Sequence, residues 1–354
     1  MPTTYAIPDG RTVMAATTWT GVNTSAAITI SNAVNGVSFQ PDLVWGKPRS
    51  LAYSHSLSDS VRGANKRLQS QSTAAEDTNL TYGYTSSFNS DGFTTTPGAT
   101  DNENWNTTGA TFVAWQWKAG GTAVSNTAGS ITSSVSANTT AGFSVVTYTG
   151  TGANATVGHG LGVAPSMVII KKRSAVGAWV IGFTYSGFTW STDYFQFDTS
   201  AKHTDGAGTV FTAAPTSTVF SLGTDAGENG SGATFVAYCF AAVAGYSAFG
   251  SYTGNGSTDG TFVYTGFRPR FVLIKITNTT SSWFLFDSSR STYNSVLNYL
   301  LPNDSGAAGD LSQGLDFLSN GFKLRDVGNG LNGSGNTYIY AAFAENPFRN
   351  ALAR

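Results

Sequence analysis

One short motif occurs three times along the chain and constrains the fold more than any other feature. Each copy begins with a proline that opens an apolar run, with valine three residues later and lysine six residues later: Pro41, Pro165 and Pro269. Each copy ends about 70 residues further on with a second apolar run, which begins at an aromatic residue: Phe112, Phe235 and Tyr338. Repetition of this kind is typical of tandem structural units. The sequence therefore predicts three similar units, each of about 100 residues.

The spacing of the copies sets the predicted boundaries. The chain of 354 residues divides into unit 1 (residues 1–118, with a short N-terminal arm), unit 2 (141–244) and unit 3 (245–354, with a C-terminal tail). Residues 119–140 lie between the first two units and are rich in Gly, Ser and Thr. Two interpretations of this segment stay open, namely a linker or an edge strand formed by its alternating end.

Composition and local pattern both favour β-structure. Charged residues make up only 11% of the chain and aromatic residues 13%, and Thr, Val and aromatic side chains fit a pleated surface. Short apolar runs bounded by Gly and Asn turns predict roughly six to eight strands per unit. We predict an all-β protein of three tandem β-sandwich, jelly-roll-like units. The only helical candidates are residues 60–70 and 292–300.

Several classes of partner are disfavoured. The net charge is −1 and the basic residues are scattered, so we expect no nucleic-acid partner. No apolar stretch approaches the ~20 residues of a membrane span, so we expect no membrane insertion. Cys239 is the only cysteine, which excludes an intramolecular disulfide. The first residues have neither a basic start nor an apolar core, so we expect no signal peptide.

No arrangement of residues predicts a catalytic, metal or cofactor site. The three histidines, His55, His159 and His203, lie far apart and at different positions of the repeat. No spacing typical of zinc or calcium ligands occurs. A pair of carboxylates of the glycosidase kind stays open, although no glutamate recurs in all three units. We therefore expect no cofactor and no enzymatic activity.

The most informative polar set is an Asp–Arg pair that recurs in two units. The candidate ligand-binding residues are Asp59, Arg62 and Lys66 in unit 1 and Asp287, Arg290 and Asn294 at the matching positions in unit 3. Unit 2 has Phe183 and Ser186 instead of the pair. An Asp and an Arg three residues apart can form a structural salt bridge or cap. Alternatively, they can bind a glycan or a neighbouring protein through charge-assisted hydrogen bonds.

The lysine that ends each proline-initiated run also recurs, as Lys47, Lys171 and Lys275. We predict that these lysines point outward, where a charge discourages pairing of exposed strand edges. A second interpretation places them at a contact between subunits.

Stretches of the sequence resemble repeat proteins of marine tailed bacteriophages, which are tail-fibre or other virion structural proteins. They include Pro-Asp-Leu-Val-Trp-Gly-Lys and Phe-Val-Ala-Trp-Gln-Trp-Lys, and they lie at residues 40–47, 59–63, 90–93, 112–120, 157–162, 316–325 and 338–348. The resemblance covers nearly the whole chain.

The resemblance implies a virion structural protein, in the first place a short tail fibre or a tail-tip adhesion module that binds a host surface glycan. A capsid decoration protein and a polysaccharide-degrading tailspike are the alternatives. It also implies contacts with other virion proteins and with copies of the same chain, as a homo-oligomer such as a trimer. The expected location is the virion, after assembly in the host cytoplasm.

Overall fold

The computed structural model describes residues 5–22, 25–100, 105–205 and 208–347. This part of the chain forms 25 strands in several antiparallel sheets. The predicted all-β sandwich fold is confirmed. Its helices are a short 3₁₀ helix (Gly10–Thr12) and one α-helix, α1 (Ala226–Asn229). No helix of the described residues is long and apolar enough to cross a membrane.

The strands follow one another along the chain as consecutive short elements. Those up to residue 140 are β1 (Met14–Thr20), β2 (Ile28–Ser31), β3 (Leu43–Pro48), β4 (Ser56–Asp59), β5 (Tyr84–Asn89), β6 (Gly92–Thr96), β7 (Thr111–Trp117), β8 (Val124–Asn126) and β9 (Ser133–Asn138). Those of unit 2 are β10 (Phe143–Thr149), β11 (Ala155–Gly158), β12 (Met167–Lys172), β13 (Trp179–Phe183), β14 (Asp193–Gln196), β15 (Thr204–Asp205), β16 (Val219–Leu222) and β17 (Thr234–Phe240). Those of unit 3 are β18 (Ser247–Thr253), β19 (Phe262–Tyr264), β20 (Phe267–Ile276), β21 (Phe284–Asp287), β22 (Val296–Tyr299), β23 (Gly309–Leu318), β24 (Gly321–Leu324) and β25 (Thr337–Pro347).

One strand order recurs in three sheets, which we call the inner sheets. The orders are β1-β7-β3-β4, β10-β17-β12-β13 and β18-β25-β20-β21. In each, the strand that closes the unit lies between the first strand and the proline-initiated strand, and all neighbours are antiparallel. The same motif therefore has the same place in each sheet, while the unit boundaries themselves stay a prediction.

Residues 119–140 contribute strands to the second inner sheet. β9 pairs with β10, and β8 pairs with β9, so that this sheet has eight strands, β15-β14-β13-β12-β17-β10-β9-β8. The alternating end of the segment forms β9, and β8 pairs beyond it as the edge strand of the sheet.

Both helical candidates are wrong. Residues 60–70 form turns and isolated bridges, and residues 292–300 contain strand β22. A single turn lies at the start of the first segment and just before the second, and in each turn an Asp side chain accepts the backbone amide three residues later. The backbone then leaves the helical path because Leu68 and Leu300 pair with strand residues.

A second sheet, which we call the outer sheet, covers one face of each inner sheet. The outer sheets are β2-β6-β5, β11-β16 and β19-β24-β23-β22. The layer between inner and outer sheet has one fully buried phenylalanine at the same position in each case: Phe93, Phe220 and Phe322. Each inner sheet with its outer sheet therefore forms a sandwich with an apolar layer between the two sheets, and in unit 3 this layer is continuous with the core described next.

The opposite faces of the three inner sheets meet in one shared core. Trp117 of the first sheet contacts Phe240 of the second and Phe271 and Phe343 of the third, with ring centroids 6.1, 5.4 and 5.7 Å apart. An apolar cavity of about 30 Å³ lies there, lined by side chains of all three sheets. The central strands are thus buried on both faces, which explains their continuous apolar sequences.

We expect Phe240→Ala to destabilise the whole protein, because Phe240 contacts aromatic side chains of all three inner sheets. Removal of a buried phenylalanine costs about 3–5 kcal/mol. Differential scanning calorimetry should show one unfolding transition at a lower temperature. Phe262→Ala is the matched control, because that ring is 43% exposed, and it should change the transition little. Separate transitions for parts of the chain would contradict a shared core.

Candidate functional site

The predicted ligand-binding pair of unit 1 lies inside the protein. The side chains of Asp59 and Arg62 are both 0% exposed. The Arg62 Nε donates to Asp59 Oδ2, and the Arg62 amide donates to Asp59 Oδ1 at 2.8 Å. The remaining guanidinium nitrogens donate to the backbone carbonyl of Leu57 and to Glu76. The pair is therefore buried and forms these bonds within the protein, while its structural role stays a prediction.

The pair of unit 3 repeats this geometry. Arg290 Nε donates to Asp287 Oδ2 at 2.6 Å, its amide donates to Oδ1 at 2.8 Å, and its Nη2 donates to the carbonyl of Leu285. Both side chains are 0% exposed. Burial favours the neutral acid, but the charge of Arg290 outweighs it and lowers the pKa of Asp287. In unit 1, burial acts against the charged guanidinium, but Asp59 raises the pKa of Arg62.

Each carboxylate also accepts a hydrogen bond from an aromatic side chain of a different unit. The hydroxyl of Tyr238 donates to Asp59 at 2.8 Å, and Trp115 Nε1 donates to Asp287 at 3.0 Å. Tyr238 and Trp115 have the same position in the closing strands of units 2 and 1. Arg290 also lies over the Trp115 ring, 5.6 Å from its centroid. The pairs therefore join unit 1 to unit 2 and unit 3 to unit 1.

The contact between units 2 and 3 is apolar at the matching place. Phe183 occupies the strand position that Asp287 occupies in unit 3 and Asp59 in unit 1. Ala341 occupies the position that the aromatic donors occupy in the other two closing strands. Phe183 contacts Phe249, the strand neighbour of Ala341, with ring centroids 6.2 Å apart. The acid, the arginine and the hydrogen-bonding aromatic residue are thus all replaced at this contact. No member of the set is therefore buried there without its partner.

The other two candidates lie outside these pairs. Lys66 is half-buried, and its amide donates to the carbonyl of Gly63. Asn294 is exposed, and its side-chain amide exchanges two hydrogen bonds with the backbone of Phe317. The structure therefore does not bring the six candidates together into one site.

The outward orientation predicted for the three lysines is wrong. Lys47, Lys171 and Lys275 are all 0% exposed, because the strands that carry them are covered on both faces. Each ammonium group donates to two backbone carbonyls. For Lys171 and Lys275, one of these carbonyls belongs to the preceding unit, at Thr73 and Ser200. Burial lowers the pKa of Lys47 to about 7, and those of Lys171 and Lys275 to about 8.

At another position that recurs in each unit, a ring N–H group donates to a backbone carbonyl of a different unit. Trp179 Nε1 donates to the carbonyl of Gln69, and Trp283 Nε1 donates to that of Gln196. His55 takes this position in unit 1 and lies 3.0 Å from the carbonyl of Leu301. Its Nδ1 accepts from Trp45, so its Nε2 carries the proton. The shared position of His55 and the two tryptophans was visible in the sequence, but their common role was not.

Glu76 strengthens the contact between units 1 and 2. Its carboxylate bonds Arg62 at 3.0 Å and Arg173 at 2.9 and 3.1 Å. Burial raises the pKa of Glu76, but the two arginines outweigh it and lower the pKa below its usual value. Nothing in the sequence spacing pointed to Glu76, because it lies in a loop and has no counterpart in the other units.

Comparison with known protein families places these features in a wider group. Residues 11–347 match the family described as "Domain of unknown function (DUF7483)". The chain belongs to this family. The match spans all three inner sheets, so the shared core and the contacts between units lie within the family domain. A comparison with curated proteins gives no match.

The described residues of this family member contain no group of three or more His, Cys, Asp or Glu side chains placed to hold a metal. An open groove lies where the 119–140 segment meets unit 1, and its lining includes Gln40, Ser60, Phe88, Lys118 and Thr139. The carboxylate at its base, Asp42, already accepts hydrogen bonds from Ser60, Ala119 and Gly121.

We expect Arg290→Ala to lower the free energy of unfolding by about 3–5 kcal/mol, because it leaves the buried Asp287 carboxylate without its cation. Urea denaturation measures the loss. Asp287→Ala combined with Arg290→Ala should cost less than the single change, since no uncompensated charge remains. Equal stability of the Arg290→Ala variant and the wild type would contradict a structural role for the pair.

We expect the stability of the wild type to rise between about pH 8 and pH 10. In this range the buried lysines have lost their protons in the folded state but keep them in the unfolded state, whose pKa is about 10.4. Lys171→Met should reduce the slope of the urea midpoint against pH. It should also lower stability at pH 7, because two buried carbonyls lose their donor. An unchanged slope would contradict the lowered pKa of Lys171.

Proposed function

We propose that the protein is a structural component of a bacteriophage virion, most simply a short tail fibre or a tail-tip adhesion module. The proposal starts from the stretches that resemble repeat proteins of tailed phages. The family to which the chain belongs is described only as a domain of unknown function, so the proposal is ours.

One observation carries the structural role. Most polar groups that recur along the chain, namely Lys171 and Lys275, the Asp–Arg pairs and the ring N–H groups, bond one sandwich to the next. Residues that in an enzyme would be available to a substrate are here used to hold three sandwiches together. The three sandwiches together have a continuous core, and ion pairs and hydrogen bonds lie at the contacts between them. A protein held together in this way suits an attachment on a particle surface that must withstand mechanical force.

We further propose that the protein assembles with other virion proteins and with copies of itself, and that it attaches to a host surface glycan. Its low charge and many surface hydroxyl groups favour contacts with proteins and sugars. Light scattering over a range of concentrations tests self-assembly. A persistent monomer would favour the alternative of a capsid decoration protein that binds only to the assembled shell.

The position of the protein on the particle decides between a tail protein and a capsid decoration protein. We expect antibodies against the purified protein to label the tail or tail tip in electron micrographs of intact virions. Label over the capsid would instead support the decoration protein. A preparation of virions that lacks the protein altogether would refute the proposal.

The remaining alternative is a tailspike that degrades polysaccharide, which requires two carboxylates facing one groove roughly 5–10 Å apart. Incubation with host capsule or lipopolysaccharide distinguishes it, because an enzyme releases oligosaccharides and an adhesion module does not. Sustained release of oligosaccharides would show that the function is hydrolysis and not adhesion.

A further inference from the structure

The outer sheet of unit 3 presents two aromatic side chains to solvent. Phe262 and Tyr264 lie two residues apart on β19 and are 43% and 67% exposed, while Val263 between them is 5% exposed. Side chains at alternate positions of a strand share one face. Both rings therefore belong to the outward face of the sheet, and Val263 belongs to the core.

The other two outer sheets show that this face has no structural need of aromatic residues. In all three, a buried aliphatic residue pairs with the buried phenylalanine of the neighbouring strand: Ile30 with Phe93, Val157 with Phe220 and Val263 with Phe322. The residues beside it are Thr29 and Ser31 in unit 1, and Thr156 and Gly158 in unit 2, where Gly158 is buried under the side chain of Asn126. Only unit 3 replaces small residues with two exposed rings at this register.

Glycines lie beside both rings. A Cβ atom at Gly321 would be 3.1 Å from the Phe262 ring and would also meet the backbone of Val263, and one at Gly266 would be 3.6 Å from the Tyr264 hydroxyl. No aromatic side chain of the described residues stacks on Phe262 or Tyr264 in the way that rings stack elsewhere in the core. The two rings are therefore open to a ligand, and we call them the aromatic face.

Hydrogen-bonding groups flank the aromatic face. Lys323 is the cross-strand partner of Phe262 and forms an ion pair with Asp259, whose side chain is 82% exposed. Arg325 follows Lys323 by two residues, and its Nε lies 2.7 Å from the carboxylate of Asp316. The loop that presents Asp259 is held in place by the buried Asn332, which bonds Asn255 and Ser257. Donors and acceptors are thus fixed beside the rings.

We propose that the aromatic face binds a pyranose residue of a surface polysaccharide. A pyranose ring has an apolar face of C–H groups that stacks on an aromatic ring, and its hydroxyl groups lie at the edge, where they both donate and accept hydrogen bonds. Lys323 and Arg325 supply donors, and Asp259 supplies an acceptor. The inference rests on the proposed role in adhesion and names its binding surface.

The charged rim favours a sugar over a protein partner. The centres of protein interfaces are depleted in Lys and Asp, yet here Lys323 lies directly opposite Phe262. A saccharide can bind these charged groups at a small desolvation cost, because its hydroxyl groups form hydrogen bonds like those of the water that they replace. A second copy of the chain would have to desolvate both ion pairs.

The test uses the full chain with tetrasaccharides of glucose, galactose, mannose and N-acetylglucosamine as probes. Saturation-transfer difference NMR should show binding of at least one of them to the wild type. Phe262→Thr combined with Tyr264→Ser gives unit 3 the residues of unit 1 at this register. It should weaken binding about tenfold or more, as expected for the loss of aromatic anchors, with no change in the unfolding temperature.

Tyr82→Ser is the matched control, because Tyr82 is an exposed aromatic residue of unit 1 (45%), and it should bind like the wild type. The inference is overturned if no tetrasaccharide binds the wild type, or if the double variant binds equally well. It is also overturned if the double variant only converts an oligomer into a monomer, which would make the face a contact between copies. Any of these results leaves the virion location, and hence the proposed function, to be judged by imaging.

Discussion

Burial of both faces of the inner sheets is the constraint on which the rest of the structure depends. Each inner sheet needs an outer sheet on one face and the other two inner sheets on the opposite face, because its central strands are mostly apolar and buried along nearly their whole length. A single sandwich cut from the chain would expose the ring of Trp117 or Phe343 to water. The three sandwiches therefore stabilise one another through the hydrophobic effect, which acts over the whole shared area.

The shared core also explains why so many polar groups are buried. Loops that meet where two sandwiches join bring backbone carbonyls out of reach of water, and each carbonyl needs a donor. Lys171, Trp179 and their counterparts in the other units supply it. Buried ion pairs contribute little net stability, and they are better explained as devices that fix one arrangement among several. Here each carboxylate accepts one bond from a strand of another sandwich, and we infer that these bonds help to specify how the sandwiches meet.

The sequence allowed the all-β fold, the motif positions and the recurrence of Asp59 with Asp287 to be predicted, because these depend on local pattern and period. It did not allow the burial of Lys47, Lys171 and Lys275 to be predicted. A lysine that ends an apolar strand is usually exposed, and only the packing of one unit on the next covers it. Glu76 was missed for the same reason, since its partners Arg62 and Arg173 are 14 and 97 residues away. The helical candidates were wrong because a single Asp-capped turn has the same local sequence as the start of a helix.

The three outer faces of the molecule are not equivalent, although the inner sheets share one strand order. Thr29, Thr156 and Phe262 occupy one register and differ in size and chemistry. Three separate but identical subunits around an axis would display every surface feature three times, whereas a single chain displays each one once. Any contact made by one outer face is thus monovalent for each chain. Strong attachment through such a contact would have to come from several chains held on the same particle, where linked sites gain from their high effective concentration.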